Sequence, residues 1–181
     1  MDFHRRYFLK IGVQATAASL IPVTVLASIG RLLLPERSLS FYNTHTDESL
    51  DVCYFSHGQY QITALKKIDY ILRDHRAGKI NPIDKRLIDL LHSISTTFHH
   101  PVQFHIISGY RTPDTNAMLC KKSSGVAGSS LHMKGQAVDI RIPDYNTMRL
   151  RDICWKLRSG GVGYYPKSDF VHVDIGRIRR W

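Results

Sequence analysis

The pattern of apolar and polar residues along the chain predicts both strands and helices. Alternation of the two kinds favours a strand, because every second side chain of a strand lies on the same face. On this ground strands are predicted at residues 38–42, 49–55, 102–107, 137–142 and 170–175, with a shorter one within 160–166. A polar segment joins the first two strands, and a hairpin is the simplest arrangement for them.

Helices are predicted where apolar residues recur at intervals of three or four. The clearest are amphipathic segments at residues 62–75 and 82–98, followed by a short helix at 112–120 and another at 144–159. The first two carry no group of reactive residues, so we expect them to be scaffold. No internal repeat or second domain is visible, and residues 38–181 are therefore predicted to form a single domain.

The N-terminal residues have the pattern of an export signal. Residues 4–10 read His-Arg-Arg-Tyr-Phe-Leu-Lys, and an apolar run without charged residues follows as far as Ile29. Paired arginines before a weakly hydrophobic segment are typical of a twin-arginine signal, which we predict at residues 1–27. A retained membrane anchor is the alternative, because about 19 residues can span a bilayer. Residues 28–37 are then a linker, and the periplasm is the predicted location.

The charge balance favours anionic partners in the cell envelope. The chain contains 25 Lys and Arg against 15 Asp and Glu, a formal net charge of +10. Removal of residues 1–27 leaves 22 against 14, so the predicted mature chain stays basic. The basic residues are scattered and no nucleic-acid motif accompanies them, so nucleic acid is not a predicted partner. A generally basic, solvated surface would give the same composition.

A candidate metal site lies within residues 129–139, which read Ser-Ser-Leu-His-Met-Lys-Gly-Gln-Ala-Val-Asp. The segment places His132 seven residues before Asp139, which is near the start of a predicted strand. Imidazole nitrogens and carboxylate oxygens are ordinary zinc ligands, and a catalytic zinc ion takes three protein ligands and keeps one open position. His172 is the obvious third ligand. Taken alone, the first pair is better explained as a loop histidine and an exposed strand aspartate.

The last predicted strand supplies this histidine together with a carboxylate. Phe170, His172 and Asp174 share one face of the strand, opposite three apolar residues that face the core. His172 and Asp174 lie about 7 Å apart along the strand, which fits a ligand beside a general base. Asp174 could instead orient a ligand histidine. Asp169 is a second candidate base, but it precedes the strand and has the opposite parity.

Arg111 is the candidate for binding substrate. It stands on a loop just after the strand at 102–107, where Gly109 permits a sharp exit. Its guanidinium group could bind a substrate carboxylate or stabilise a developing oxyanion, or it could pair with a structural carboxylate. The glycine- and serine-rich residues 121–130 then lead to His132, either as a lid over the site or as a plain connector.

Several motifs occur in a fixed order along the chain. They are Ser-Gly-Tyr-Arg at 108–111, Ser-x-His-x-x-Gly-x-Ala-x-Asp at 130–139, Gly-Val-Gly-Tyr-Tyr-Pro at 161–166, His-x-Asp at 172–174 and Arg-x-Trp at 179–181. Together with the leader they resemble the M15-type zinc D-Ala-D-Ala metallopeptidase superfamily, and most of all its murein endopeptidase K-like branch. The resemblance implies a small α+β fold, an antiparallel sheet with flanking helices, like that of the hedgehog signalling domain and the D-Ala-D-Ala peptidases.

The resemblance also implies a metal and its ligands. Carried over residue by residue, the ligands of one zinc ion are His132, Asp139 and His172. Arg111 falls on the loop arginine that contacts the substrate or the transition state. The dipeptidase branch has a glutamate three residues before its last histidine, whereas this chain has Asp169 there. This departure leaves the general base open between Asp174 and Asp169.

The function that the resemblance implies is that of a periplasmic zinc endopeptidase, which hydrolyses peptide cross-links of peptidoglycan during remodelling of the cell wall. Tyr164 or Tyr165 could help to stabilise the substrate or its oxyanion, or either could be a packing residue. A D,D-carboxypeptidase or dipeptidase acting on stem peptides is one alternative. A non-catalytic wall-binding module that keeps zinc for structure is another, because the fold is shared with a signalling domain.

Overall fold

The structure is a computed structural model that describes residues 35–122, 125 and 127–181. Within them, eight strands form one sheet, and four α-helices and a 3-10 helix connect the strands. The strands are β1 (Arg37–Asn43), β2 (Glu48–Ser56), β3 (Gln59–Tyr60), β4 (Gln103–Ser108), β5 (Ala137–Arg141), β6 (Gly161–Tyr165), β7 (Phe170–Asp174) and β8 (Arg179–Arg180). The helices are α1 (Ile62–Ile71), α2 (Lys85–Ser95), α3 (Pro113–Lys122) and α4 (Thr147–Lys156), and the 3-10 helix spans Leu131–Lys134.

The sheet is mixed, with the strand order β3-β2-β1-β4-β5-β7-β6-β8. Five neighbouring pairs are antiparallel, whereas β1 with β4 and β6 with β8 are parallel. The central parallel pair arises because α1 and α2 carry the chain back across the sheet, so that β4 starts at the same end as β1. The predicted α+β class is confirmed, and the sheet is not purely antiparallel.

The apolar core and the polar site lie on opposite faces of the sheet. A single hydrophobic cluster joins one face to α1, α2 and α4. In β7, Val171 and Val173 belong to this cluster, whereas His172 and Asp174 alternate with them and point to the other face. The same alternation in β5 directs Asp139 away from the core. The strands of the core therefore also fix the positions of the polar side chains.

The first helix is shorter than predicted. The periodicity of apolar residues continues to residue 75, but α1 ends at Ile71. Asp74 leaves the helical path, because its N–H group donates to the carbonyl of Lys79 at 2.9 Å in an isolated bridge. The segment after α1 thereby becomes a compact turn beside β4.

The predicted export signal at 1–27 and most of the predicted linker at 28–37 lie outside the described residues. Among the residues that are described, no helix combines the length and the apolar character needed to cross a membrane. The choice between an export signal and a retained anchor concerns the earlier residues and stays a prediction.

Candidate metal centre

Two neighbouring strands and the 3-10 helix bring the three predicted ligands together. Asp139 of β5 and His172 of β7 are directly opposite each other in an antiparallel pair. His132 lies in the 3-10 helix, which Ser130 caps with its side chain and which Gly135 ends with a φ of 64°. This left-handed conformation suits glycine, and it turns the chain from His132 into β5 within a few residues.

The side-chain atoms of the three residues converge on one point. Nε2 of His132 lies 3.2 Å from Nδ1 of His172 and 3.2 Å from Oδ1 of Asp139. Nδ1 of His172 and Oδ1 of Asp139 are 2.8 Å apart. All three residues are buried. Within the described part of the chain, this is the group of His, Cys, Asp and Glu side chains that could hold a metal ion.

Hydrogen bonds behind each histidine determine which ring nitrogen faces the centre. Nδ1 of His132 is 2.7 Å from the carbonyl oxygen of Gly109. Because a carbonyl oxygen only accepts, Nδ1 carries the proton and Nε2 keeps a lone pair. Nε2 of His172 lies 3.0 Å from Oδ2 of Asp174, which leaves Nδ1 for the centre in the same way. Histidines that bind metals usually have such a partner behind the ring.

The donor set and its spacing suit a small tetrahedral metal ion. Bonds of about 2.0–2.1 Å at tetrahedral angles place ligand atoms about 3.3 Å apart. The observed separations of 2.8 and 3.2 Å are close to this value, so the residues fit an ion with little movement. Two imidazoles and one carboxylate also leave the open position that catalytic sites keep.

Asp174 lies behind His172 and is fully buried. Its Oδ1 atom accepts hydrogen bonds from the N–H groups of Gly161 and Gly176, at 3.0 and 2.8 Å. Arg179 donates to both carboxylate oxygens, at 3.2 and 2.8 Å. These contacts and the bond to His172 occupy both oxygens. Of the two predicted roles of Asp174, this geometry supports the orientation of His172 and not the transfer of a proton from water.

The charges of the site shift the pKa values of its members. Burial lowers the pKa of His132. Burial alone would raise the pKa of Asp139, but His132 and His172 beside it outweigh burial and hold the pKa of the carboxyl well below its usual range. For Asp174, the contacts with His172 and Arg179 likewise outweigh burial and lower the pKa. Both carboxylates are therefore ionised at neutral pH.

Arg111 lies beside Asp139, the carboxylate among the predicted ligands. Its Nε group donates to the hydroxyl of Ser108 at 2.7 Å, and its Nη2 group donates to Oδ2 of Asp139. Its backbone N–H group donates to the carbonyl of His132 at 3.2 Å. Its Nη1 group has no hydrogen-bond partner among the described residues, which leaves both N–H donors of this nitrogen for a substrate. Its role in binding substrate stays a prediction.

Asp169 is separated from the other predicted site residues. Its side chain is 62% exposed, accepts a hydrogen bond from the hydroxyl of Thr147 at 2.9 Å and lies 3.8 Å from Arg141. Asp169 directly precedes β7 and has a left-handed backbone conformation, with a φ of 52°. Its side chain lines a different surface pocket, together with His105 and Arg141. The geometry therefore gives no support to Asp169 as the general base.

A cleft of about 430 Å³ opens beside the three predicted ligands. One wall is aromatic: Tyr165 stacks on Phe170 with ring centroids 4.5 Å apart, and its hydroxyl accepts a hydrogen bond from Nε1 of Trp181 at 3.0 Å. The ring of Trp181 lies 5.3 Å from that of His172. Of the two tyrosines considered from the sequence, Tyr165 lines the cleft, whereas Tyr164 packs against the core.

A second part of the cleft wall comes from the glycine- and serine-rich segment. Gly125, Ala127 and Ser129 line the cleft. The side chain of Asn116 in α3 donates to the carbonyl of Ala127 at 3.1 Å, which ties the end of the segment to a helix. Residues 123, 124 and 126 lie outside the described residues, and the choice between a lid and a connector stays open.

The roles of two further residues were not predicted from the sequence. Ser108 holds the side chain of Arg111, and Arg179 holds Asp174. Arg179 is one of three arginines among the last five residues, so nothing local distinguishes it. Its contact with Asp174 depends on the short parallel pairing of β6 with β8, which the residue pattern does not reveal.

A family model and the curated relatives that the chain resembles carry the same description. A family model described as peptidoglycan L,D-endopeptidase MepK, of the M15 peptidases, matches residues 34–181. The chain is 39% identical over 181 residues to the peptidoglycan L,D-endopeptidase MepK of Escherichia coli strain K12, covering 99% of this chain and 98% of the relative. It is 37% identical over 183 residues to a probable peptidoglycan L,D-endopeptidase MepK of Haemophilus influenzae, covering 100% and 97%. No solved structure matches the chain.

Proposed function

The chain belongs to the peptidoglycan L,D-endopeptidase MepK family of the M15 peptidases, and we propose that it is a zinc endopeptidase that cleaves peptide cross-links of peptidoglycan. The observation that carries the proposal is the convergence of His132, Asp139 and His172 on one point beside an open cleft. The relatives are named endopeptidases, which favours the cutting of cross-links over the trimming of terminal D-alanine. Their names also favour an L,D peptide bond as the one that is cut.

Zinc in this site would polarise the carbonyl of the scissile bond and activate a water molecule for attack. The chain contributes the orientation of the three ligands. Gly109 holds the proton of His132 on Nδ1, and Asp174 holds the proton of His172 on Nε2. Arg179 in turn donates hydrogen bonds to both carboxylate oxygens of Asp174. The ligand atoms are thereby fixed before a substrate arrives.

Arg111 is positioned to bind the substrate. Its contacts with Ser108 and Asp139 fix the guanidinium plane at the cleft, and its Nη1 group can donate to an oxygen of the bound peptide. An oxygen that gains charge during the reaction would be stabilised by such a preset donor. We therefore assign Arg111 to the substrate or its oxyanion.

Proton transfer by Asp174 or Asp169 would require one of these carboxylates to reach the cleft. Asp174 is enclosed by its hydrogen bonds behind His172, and Asp169 faces another pocket. Among the described residues that line the cleft, Asp139 is the only carboxylate. We assign Asp174 to the orientation of His172 and give Asp169 no catalytic part.

The periplasm is the proposed location, because the substrate lies outside the cytoplasmic membrane and the leader has a twin-arginine pattern. The predicted partner is peptidoglycan, through its stem peptides and cross-links. A membrane would be contacted only through a retained N-terminal segment.

Digestion of purified muropeptides tests this function. We expect the protein to convert L,D-cross-linked dimers into monomers and to leave the length of monomeric stem peptides unchanged. The Asp139→Asn side chain keeps the size of the aspartate but loses its charge, and this protein should leave the dimers uncleaved. Products are separated by chromatography and identified by mass.

Two other outcomes of the digestion would each identify one of the alternative functions. Shortened monomers without cleavage of dimers would show a carboxypeptidase. A folded protein that binds zinc but cleaves neither substrate would show a wall-binding module. Either result would contradict the proposed endopeptidase.

A further inference from the structure

A basic and aromatic surface lies on the opposite side of β8 from the cleft. The guanidinium carbon of Arg158 lies 4.5 Å from the centroid of the Trp155 ring, and that of Arg180 lies 5.0 Å from the same ring. One turn earlier in α4, Arg151 lies 5.0 Å from the ring of Tyr164. We call these five residues the basic face.

Two guanidinium groups of the basic face share one indole without a nearby carboxylate. Among the described residues, neither Arg158 nor Arg180 has an Asp or Glu oxygen within 4.0 Å. Arg151 differs, because it pairs with Asp152 at 2.7 Å. Arg158 and Arg180 are both exposed. Like charges held close together repel, so this arrangement favours an anionic partner.

The backbone at Arg158 supports the same conclusion. Arg158 follows Leu157, the C-terminal cap of α4, and has a φ of 52°. Glycine usually occupies this left-handed position, because a β-carbon is unfavourable there. Left-handed residues other than glycine are uncommon, and they occur more often at functional sites than elsewhere. The conformation places the guanidinium group over Trp155.

The segment that contains the basic face carries much of the formal charge of the chain. Residues 147–181 contain eight Lys and Arg against three Asp, so this segment of 35 residues carries half of the formal net charge of +10. One of the three acids, Asp174, is fully buried and paired with Arg179, so the other residues of the segment keep an excess of positive charge. The surface of this segment is therefore strongly positive, and such a surface attracts polyanions from a distance.

Strand β8 connects the basic face with the cleft. Arg179 points to one face of the sheet, where it binds Asp174, and Arg180 points to the other, where it covers Trp155. Trp181 then lines the cleft. Because β8 is the edge strand of the sheet, a polymer that passes around this edge can contact the cleft and the basic face together.

We propose that the basic face is a docking surface for carboxylates of the peptidoglycan strands that flank the bond being cut. The inference rests on the proposed function, which makes peptidoglycan the substrate. Guanidinium groups match carboxylates with paired hydrogen bonds. An anionic membrane is the competing partner, and insertion into it needs exposed apolar side chains. The rings of Trp155 and Tyr164 lie beneath guanidinium groups, and the exposed Met148 and Ile178 are not part of the basic face.

Co-sedimentation with purified sacculi tests the docking surface. The Arg158→Gln/Arg180→Gln protein keeps side-chain length but loses both charges, and we expect roughly three- to tenfold weaker binding, because exposed charge contacts are individually weak. The matched control is Lys66→Gln/Lys67→Gln, which removes two exposed charges from α1 and should bind like the wild type. High salt should abolish the difference between the proteins. Equal melting temperatures would exclude unfolding as the cause.

A short soluble substrate separates docking from cleavage. A cross-linked dimer muropeptide occupies the cleft without the flanking strands, so the wild type and the arginine double variant should cleave it at equal rates. Failure of the wild type to cleave the dimer would contradict the proposed function. The sedimentation result would still show whether the basic face binds sacculi.

Two results would overturn the docking surface. One is equal binding of sacculi by the wild type and the arginine double variant. The other is binding of the wild type to vesicles of anionic phospholipid as tight as its binding to sacculi, with the same dependence on Arg158 and Arg180.

Discussion

The two carboxylates at the proposed metal site have different surroundings, and for this reason we propose different roles for them. Asp139 directs one oxygen at both imidazoles and the other at Arg111, at the edge of the cleft. Asp174 accepts hydrogen bonds from backbone groups and Arg179 and has no exposed surface. An enclosed carboxylate of this kind fixes the orientation of a ligand but cannot exchange protons with water in the cleft.

The substitution Asp174→Asn tests this division. An amide nitrogen cannot accept hydrogen bonds from Arg179 or from the ring of His172, so the ring loses its orientation. We expect metal affinity to fall roughly 10- to 100-fold, as it does when such partners of ligand histidines are removed. Competition with a chelating dye measures the affinity. The control, Asp169→Asn, should bind metal and cleave substrate like the wild type.

The opposite pattern would return Asp174 to the role of general base. An Asp174→Asn protein with unchanged metal affinity and a turnover reduced by orders of magnitude would contradict the orienting role. A similar loss of turnover in the Asp169→Asn protein would show that Asp169 reaches the cleft in the substrate complex.

At the scale of residues, the sequence pattern indicated the three side chains that the structure brings together, but it left the role of Asp174 open between two alternatives. Strand parity in residues 170–175 is a local property, and it placed His172 and Asp174 on one face. Asp174 is shielded from water by Arg179, and the pairing of β6 with β8 brings Arg179 to it. The pairing of two strands that are separate in the sequence cannot be predicted from the residue pattern of either strand alone.

Among the elements, the loop between β4 and α3 controls the position of Arg111. The N–H group of Tyr110 donates to the carbonyl of Leu72 at 2.7 Å, and the N–H and hydroxyl groups of Thr112 donate to Oδ2 of Asp74 at 2.8 and 2.9 Å. Asp74 is 2% exposed. The turn after α1 therefore holds the loop on both sides of Arg111.

We expect Asp74→Asn to destabilise the protein and to lower turnover. An amide nitrogen at the Oδ2 position cannot accept from Thr112, and an unsatisfied buried donor costs about 1–3 kcal/mol. Urea unfolding measures the stability. Changes in kcat and KM show whether the loop still positions Arg111 for the substrate. The Thr112→Val protein keeps the backbone donor and should lose less stability.

The effect should depend on pH. Although burial raises the pKa of Asp74, hydrogen bonds from Thr115 and Thr112 outweigh it and lower the pKa to about 2. The contribution of the carboxylate is thus complete at neutral pH and is lost as the pH falls from about 4 towards 2. The stability difference between the wild type and the Asp74→Asn protein should narrow in this range. A constant difference down to pH 2 would contradict this account.

Asp74 also explains why the end of α1 was predicted too late. The apolar periodicity continues through Leu72, and it is the main sequence signal for a helix. The side chain of Asp74 competes by accepting hydrogen bonds from the N–H groups of Arg76 and Ala77, at 3.0 and 3.2 Å. These local bonds favour a turn, and the buried contacts with Thr112 stabilise it.

Strand β6 supports the aromatic wall through Gly163. A β-carbon at Gly163 would lie 2.6 Å from the indole of Trp181, so Gly163→Ala should displace this ring from the cleft. We expect a higher KM for the dimer muropeptide with metal affinity unchanged. Gly128→Ala is the control, because nothing lies within 4 Å of the added carbon. Unchanged KM in the Gly163→Ala protein would show that the Trp181 ring does not contact the substrate.

Over the whole molecule, one sheet separates the core from the chemistry. Its apolar face packs against α1, α2 and α4, and its polar face carries the proposed metal ligands of β5 and β7. The α+β class agrees with the local patterns of apolar residues. The order of the strands could not be predicted from those patterns, because the parallel pairing of β1 with β4 joins segments 63 positions apart, such as Ser40 and Gln103.

The most direct test of the proposed metal centre is a zinc titration of chelator-treated protein, followed by its cleavage of an L,D-cross-linked dimer muropeptide. We predict no cleavage without zinc, recovery to a plateau at about one ion per chain, as expected for three ligands around one ion, and no recovery in the folded His132→Ala protein. Full cleavage by the metal-free protein, or by the His132→Ala protein, would contradict the account.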